Sequence, residues 1–218
     1  MTSDSTVSET LQVKRASERA AYDREAVNAV VDECFIGHVG TIREGLPLVI
    51  PMFCVRDGER LLMHGAPATG TVRRGEGTDV CVTMTILDGL VLARSAFHHS
   101  MNYRSTVVIG KAFEVSEEAD KNRALEMFVG RLLPGRQAYL RPTSQKEIRG
   151  TQVLELSLEQ SSAKVRTGPP IDEEEDYALD IWAGVVPIRS DFGEAIPDSR
   201  LTESTKLPAH VESLISAD

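Results

Sequence analysis

The chemically richest stretch of the chain is residues 94–110, RSAFHHSMNYRSTVVIG. Within it, Arg104 offers a guanidinium group, and Ser100, Tyr103 and Ser105 offer hydroxyl groups. Donors of these kinds suit a phosphate or another anion. The β-branched run at 106–109 predicts a strand directly after them. The stretch therefore indicates either a ligand site at the edge of a sheet or an ordinary solvated loop.

A second candidate segment, 64–77, begins with the sequence HGA at the end of a predicted strand. The residues that follow are mostly small, and the polar ones of interest are Thr69, Thr71, Arg73 and Arg74. Small residues let a ligand approach the backbone, and threonine and arginine side chains can bind its phosphate. The alternative is a short surface helix with solvated arginines.

Metal-binding patterns are weak in this sequence. Cys34, Cys54 and Cys81 each lie in an apolar run without a C-x-x-C pair, which predicts buried free thiols rather than a disulfide or a zinc site. His98 and His99 are adjacent in an extended segment, so their side chains are expected on opposite faces. We expect no metal site formed by protein ligands alone.

Composition excludes several classes of partner. The 218 residues carry a formal net charge of −9, which argues against non-specific binding to nucleic acid or to anionic membranes. No run of 18 apolar residues exists, and the first 20 residues are polar, so neither a membrane span nor a signal peptide is predicted. We therefore expect a cytoplasmic protein.

The elements that position these segments read as an antiparallel meander. Strands are predicted at 35–43 and 46–56, and Asp57-Gly58 then predicts a hairpin to the strand at 59–64. Asp88-Gly89 predicts a second hairpin between strands at 80–87 and 90–97. Pro51 interrupts its strand and marks an edge, a bulge or a place where a ligand meets the backbone.

Helices are predicted on either side of this meander. The first begins at Asp23 with an apolar stripe of Val27, Val30 and Val31. The second is capped by Ser116, and its stripe, expected to pack in the core, consists of Leu125, Phe128, Val129 and Leu132.

Domain boundaries follow from composition. We predict a flexible tail at 1–20, one folded domain at 21–189 and a C-terminal extension at 190–218. Within the domain, Ser144 and Glu147 have capping-box spacing, and the acidic run 172–176 is expected to be a solvated loop.

Four segments together resemble the pyridoxamine 5′-phosphate oxidase-related, flavin-nucleotide-binding proteins, nearest the nitroimidazole-resistance reductase-like group. They are LMHGA at 62–66, residues 87–110, LLPGR at 132–136 and WAGVVP at 182–187. The resemblance covers about residues 20–188. It implies a mainly β (α+β) fold, an antiparallel split β-barrel with flanking helices, and a homodimer that holds FMN at its interface.

The resemblance also implies which residues contact the flavin. They are Val49, Ile50, Pro51 and Met52 along the ring edge; His64, Gly65 and Ala66 at the ring or ribityl chain; Thr69, Thr71 and Arg73 near the phosphate; Arg104 and Ser105 with their neighbours Asn102 and Tyr103; and Trp182 closing the cleft. Many relatives carry Ser-Arg or Ser-Lys where this chain has Thr69-Gly70-Thr71, so Arg73 or Arg104 is expected to bind the phosphate instead. The oxidase's C-terminal Arg-Leu-x-Pro element is not recognisable, which argues against oxidation of pyridoxamine phosphate.

The activity implied is that of an FMN-dependent oxidoreductase that reduces a small molecule, with nitro-aromatic compounds among the candidates. The reductant would be NAD(P)H or another donor, although no G-x-G-x-x-G motif follows a strand. His64 is the candidate catalytic residue, because an imidazole beside the flavin can donate a proton near neutral pH. The alternative is a non-catalytic flavin or haem binding protein acting as carrier, sensor or scavenger, and a deazaflavin is a third cofactor to consider.

Overall fold

The structure is a computed structural model, and it describes residues 8–14, 17–65, 77–202 and 204–216. The strands are β1 Ala20–Ala21, β2 Ile36–Arg43, β3 Leu46–Asp57, β4 Arg60–Gly65, β5 Thr78–Leu92, β6 Ser100–Glu114, β7 Gln152–Ser157, β8 Ser161–Arg166 and β9 Gly184–Pro187. The helices are α1 Arg24–Glu33, α2 Glu118–Leu132, α3 Gln145–Gly150 and α4 Ala209–Ile215.

The sheet closes into a barrel that is split along β6. Strands β6, β7, β4, β3, β2 and β5 follow one another as neighbours, and β5 pairs back with β6 to complete the ring. The other edge of β6 is shared, because residues 103–108 pair with β8 while residues 113–114 pair with β7. The pairs are all antiparallel, so the predicted split β-barrel is confirmed.

The barrel interior holds the main core. Met63, Met84 and Leu154 are almost fully buried in it, and the stripe of α1 packs against the same cluster. The Asp23 carboxylate accepts a hydrogen bond from the Ala26 amide at 2.8 Å, so the predicted helix start is confirmed. Burial of apolar side chains on both sides fixes α1 against the barrel.

Helix α2 covers the outer face of β3, β4 and β7. A second apolar cluster forms there from Val55, Leu62, Val153, Ala124 and Phe128. The predicted N-cap was wrong by one residue, since Glu117 occupies the cap position and makes no side-chain capping bond. Only Phe128 of the predicted stripe is fully buried, and Leu132 is 58% exposed. Part of the predicted stripe therefore lies outside the apolar core.

The predicted hairpin at Asp88-Gly89 is wrong. Strand β5 continues through this dipeptide, with only a bulge in register between Leu87 and Gly89. The dipeptide is held straight because β6 pairs along one edge of β5 and β9 along the other. A Cβ on Gly89 would lie 3.0 Å from the Val186 carbonyl oxygen, so glycine here serves close strand approach rather than a turn.

Described residues of the predicted tail and of the predicted extension both contact the folded domain. Leu11 is buried, and the Ser8 amide donates to the side chain of Gln160 at 2.8 Å. In the C-terminal region the ring of His210, on α4, stacks on Tyr139 with centroids 4.4 Å apart. None of the helices described in the structure is long and apolar enough to cross a membrane.

The three cysteines are free thiols, as predicted, but they are not all buried. Cys54 is fully enclosed, Cys34 is partly accessible and Cys81 is exposed. The prediction of burial was wrong for Cys81 because β5 alternates its faces, and residue 81 falls on the face turned away from the core.

Candidate functional site

The barrel presents one outer face that gathers several predicted flavin contacts. The antiparallel registers place Pro51, His38 and Thr83 in one row across β3, β2 and β5. The neighbouring row on the same face contains Val49, Gly40 and Cys81. We call this exposed surface of β3, β2, β5 and β6 the outer wall.

The outer wall continues onto β6 and carries apolar side chains. Tyr103 lies opposite Leu87 and Ser105 opposite Thr85, so both belong to this surface. The exposed apolar side chains near its β2–β3 end are Ile42 and Val49, with relative exposures of 68% and 61%. Ile50 and Met52, which alternate with Val49 and Pro51 along β3, instead pack against the core inside the barrel.

Pro51 lies on a strand edge that is open in the described part of the chain. Strand β4 pairs with β3 only from Cys54 onward, so residues 46–53 have β2 as their sole strand neighbour there. The predicted edge role of Pro51 is confirmed. An open edge next to an apolar wall is a place where a flat ligand can meet backbone groups.

His64 lies at the end of β4 in a cavity of about 1100 Å³. Its ring contacts Phe128 edge-on at 4.6 Å between centroids and Phe53 at 5.9 Å. Further apolar lining comes from the exposed side of α2 and the segment after it: Leu125, Met127, Val129, Leu132, Leu140 and Pro142. The stripe of α2 therefore forms a wall of this cavity as well as part of the core.

The environment of His64 keeps its imidazole neutral. Burial lowers the pKa of the His64 ring, since water no longer stabilises its charged form. The ring makes no hydrogen bond within the described residues, so its nitrogens are not committed to the protein there. A neutral, uncommitted imidazole is suited to ligate a metal centre.

Two arginines border the same cavity. Arg123 lies 3.2 Å from the carboxylate of Asp57, and Arg141 pairs with both carboxylate oxygens of Glu147. The Arg123 side chain is 52% exposed, which leaves donors facing solvent. Glu126 and Glu147 line the cavity as well, so it is largely apolar within and carries charges of both signs at its margin.

Arg104, the predicted anion donor, is already paired with two carboxylates. Its guanidinium donates to Asp88 at 2.7 and 3.0 Å and to both oxygens of Glu33. These bonds raise the pKa of Arg104 and lower that of Glu33. The neighbouring Ser105 hydroxyl donates to the Lys164 carbonyl oxygen at 3.3 Å. A direct contact of either residue with flavin remains a prediction.

The remaining predicted positions are dispersed. Asn102 is buried and donates to the Gly168 carbonyl at 3.1 Å, while Gly65 pairs with β7 at the end of its strand. Trp182 is 68% exposed and lies over Gly184, and its closing of a flavin cleft stays a prediction. The predicted contacts Ala66, Thr69, Thr71 and Arg73 lie outside the described residues.

Sequence reasoning missed several residues that line these surfaces. His38 lies on the outer wall beside Pro51, and Phe53 links that wall to the His64 cavity. Arg123 and Arg141 were not among the predicted site residues. Strand alternation around Pro51 contained the signal for His38, because positions 38 and 51 face each other across the predicted hairpin.

Comparison with known proteins gives a consistent assignment. The model of a family described as pyridoxamine 5′-phosphate oxidase matches residues 23–165. Structurally, the chain is similar to the flavocytochrome Anf3 from Azotobacter vinelandii, with 42% identity, a TM-score of 0.90 and coverage of 95% of this chain and 97% of that one. No curated protein sequence matches the chain.

Two further structures are similar at lower identity. An FAD and heme binding protein from Mycobacterium smegmatis is 32% identical, with a TM-score of 0.85 and coverage of 90% of this chain and 97% of that one. A candidate 5-nitroimidazole antibiotic resistance protein from Bacteroides thetaiotaomicron is 21% identical, with a TM-score of 0.56 and coverage of 67% and 86%. The latter likeness concerns the fold alone.

Proposed function

The chain belongs to the pyridoxamine 5′-phosphate oxidase family, and from that premise we propose that it is a redox protein that binds a flavin nucleotide and a haem. The observation that carries the haem is His64, a neutral imidazole without a hydrogen bond in the described structure, inside a cavity of about 1100 Å³. Two relatives above 30% identity are described as a flavocytochrome and as an FAD and heme binding protein, which supports the same pairing.

The lining of the His64 cavity fits a haem. A macrocycle of this kind needs an apolar slot, an axial ligand and cations for its carboxylates. His64 would hold the iron, with Phe53 and Phe128 as apolar neighbours. Arg123 and Arg141 lie at the margin, where they would meet the carboxylates. With iron on one ring nitrogen of His64, that nitrogen would no longer be available for the predicted role of proton donor.

The flavin is proposed to lie on the outer wall. Val49 and Pro51 offer apolar contact, and Tyr103 and Ser105 offer hydroxyl groups on the same face. The family resemblance implies FMN, whereas the relative from M. smegmatis is described as binding FAD. Mass analysis of the flavin released on denaturation distinguishes the two nucleotides.

A homodimer is proposed because the outer wall exposes apolar side chains that a second copy would cover. Ile42 and Val49 are each more than 60% exposed on this face. Contiguous exposed apolar surface of this kind marks interaction sites. A flavin held between two such walls would be shielded from water.

When bound, flavin supplies hydride and single-electron transfer, and haem supplies single-electron transfer. The protein's own part is to bind, orient and shield these groups. Reduction of a small molecule, with NAD(P)H or another donor as reductant, is the activity proposed for this pairing.

The test is an absorbance spectrum of the freshly purified protein, repeated after anaerobic addition of NADH or NADPH. Flavin bands together with a Soret band are expected, and bleaching of the flavin bands would identify nicotinamide as the reductant. Flavin bands without a Soret band would reject the haem part of the proposal and leave the predicted FMN reductase. A spectrum with neither chromophore would overturn the proposal.

A further inference from the structure

A smaller pocket of about 360 Å³ lies at the β8 end of the barrel. Its lining consists of Arg19, His98, His99, Ser100, Arg166, Ile171, Asp172 and Glu173. Neither the flavin proposal nor the haem proposal uses this pocket. It contains the two histidines of the chemically rich stretch, but its arginines come from other parts of the chain.

Arg166 is the central feature of the pocket. Its side chain is 7% exposed, yet none of the ion pairs within the described residues involves it. The guanidinium donates instead to neutral oxygens, those of Asn102, Gly168 and Pro169. Its Nε atom is buried without a hydrogen-bond partner. A buried guanidinium that lacks a counter-ion is costly, because charges inside proteins are normally paired.

A second cation increases that cost. Arg19 lines the same pocket, and its positive charge together with burial lowers the pKa of Arg166. The acid nearest to Arg19 is Glu18, at 3.4 Å, whose side chain is 69% exposed. An exposed pair of this kind contributes little. Two positive charges thus share the pocket, and the exposed carboxylate of Glu18 offsets them only weakly.

The acids that line the pocket are engaged elsewhere. Both carboxylate oxygens of Asp172 accept hydrogen bonds from Arg94, from its amide at 2.9 Å and its guanidinium at 3.0 Å. Glu173 is exposed and lies 3.5 Å from Nε2 of His98. Neither of them is paired with Arg166 or Arg19. The pocket therefore contains two guanidinium groups and two carboxylates, but the carboxylates are directed at Arg94 and His98 and leave Arg166 without an anion in contact.

A cation site is the competing explanation, because ligand atoms of His98, Asp172 and Asp176 lie within 4.8 Å of one another. Asp172 is however the least accessible of these groups, and its carboxylate already neutralises Arg94. A metal ion there would displace that ion pair and lie beside a guanidinium. Coulomb repulsion disfavours that arrangement.

We propose that this pocket binds an oxyanion, a phosphate or carboxylate group, held by Arg166 and Arg19 with Ser100 as a hydroxyl donor. The group is either part of a bound cofactor, as in the diphosphate of a dinucleotide flavin, or part of a free small molecule. Guanidinium groups are well suited to both because they donate two parallel hydrogen bonds to such oxygens.

The test compares purified wild-type protein with Arg19→Met, Arg166→Lys and the control Arg149→Met, an exposed arginine outside the pocket. Arg19→Met removes a charge at the pocket while leaving the hydrogen bonds of Arg166 intact, so folding is preserved, as circular dichroism will verify. Two quantities are measured: the affinity for inorganic pyrophosphate by calorimetry, and the affinity for the bound flavin by release on dilution.

A free anion predicts pyrophosphate binding by the wild type that weakens about tenfold or more in Arg19→Met and Arg166→Lys. A cofactor-borne anion predicts no pyrophosphate binding by the wild type and a similar loss of flavin affinity in both variants. If pyrophosphate does not bind and flavin affinity equals that of Arg149→Met, the pocket is not an anion site. The pyrophosphate arm does not depend on flavin or haem being present, so the two proposals fail separately.

Discussion

The imidazole of His64 lies edge-on to the ring of Phe128, with the two centroids 4.6 Å apart and an angle of 72° between the planes. Phe53 contacts the same imidazole at 5.9 Å, so apolar groups flank it on more than one side. The aromatic contacts restrain the ring, and burial lowers the pKa of the imidazole. The neutral form that burial favours is the form that the proposed iron ligation requires.

We predict that His64→Ala abolishes the Soret band while the flavin bands persist, because the variant removes the proposed iron ligand and leaves the outer wall intact. The measurement is the absorbance ratio of the two chromophores in purified protein. His99→Ala is the matched control, since that histidine is exposed and does not line the His64 cavity. An unchanged Soret band in His64→Ala would place the haem elsewhere or remove it from consideration.

Local sequence patterns predicted those elements whose signal lies within a few residues. The stripe of α1, its cap at Asp23 and the capping box of Ser144 and Glu147 are formed as expected. The hairpin predicted from Asp88-Gly89 was wrong, because the conformation of this dipeptide depends on the strands that pair with both edges of β5. A turn signal is overridden when long-range pairing on both sides stabilises an extended chain.

The candidate sites were less predictable for the same reason. Arg166 ends β8 and reaches Asn102 on β6, a contact that depends on pairing across more than 60 positions of the sequence. The predicted anion donor Arg104 is neutralised by Glu33, which α1 brings to it. Charge balance in a pocket depends on which side chains the fold brings together. Residue types alone therefore did not identify Arg166 as a buried arginine without an acidic partner in the described structure.

We predict that Arg104→Met lowers the free energy of unfolding by about 1–3 kcal/mol at pH 7, because it leaves Asp88 and Glu33 without their charged hydrogen-bond donor. Denaturant unfolding measures the change. If the variant instead loses flavin with no change in unfolding, the family-implied contact with the cofactor is the dominant role of Arg104.

The same pair makes a prediction about pH. The hydrogen bond from Arg104 lowers the pKa of Glu33 in the folded protein. A carboxylate with a lowered folded-state pKa stabilises the fold above its unfolded-state pKa, and this contribution is lost as the pH falls through the folded-state value. The difference between wild type and Arg104→Met should therefore shrink from pH 7 to about pH 3, as protonation of Glu33 removes the interaction. A difference that stays constant over that range would show that Glu33 is not coupled to Arg104.

We predict that Gly37→Ala destabilises the barrel by about 1–3 kcal/mol through overpacking. A Cβ at this position would lie 2.7 Å from Sγ of Cys54 and 2.9 Å from Cγ1 of Val82, both fully buried. Burial raises the pKa of the Cys54 thiol to about 12, so it is a neutral core group. Cys54→Ala removes the closer atom, and the double variant should lose less stability than the sum of the single ones. Strict additivity would show that the strain is relieved by movement of β2 instead.

We predict that Val49→Glu converts the protein to a monomer and lowers its flavin content. Val49 is 61% exposed in the single chain, so a carboxylate there leaves the fold of one subunit unaffected. In the proposed dimer the same carboxylate would be buried in an apolar interface without a partner, at a cost of several kcal/mol. Light scattering after gel filtration gives the mass, and absorbance gives the flavin content.

Ile196→Glu is the control, because Ile196 is 94% exposed and lies in the C-terminal extension. A wild-type protein that is a monomer with flavin bound would contradict the dimer, and a dimeric, flavin-loaded Val49→Glu would remove the outer wall from its interface.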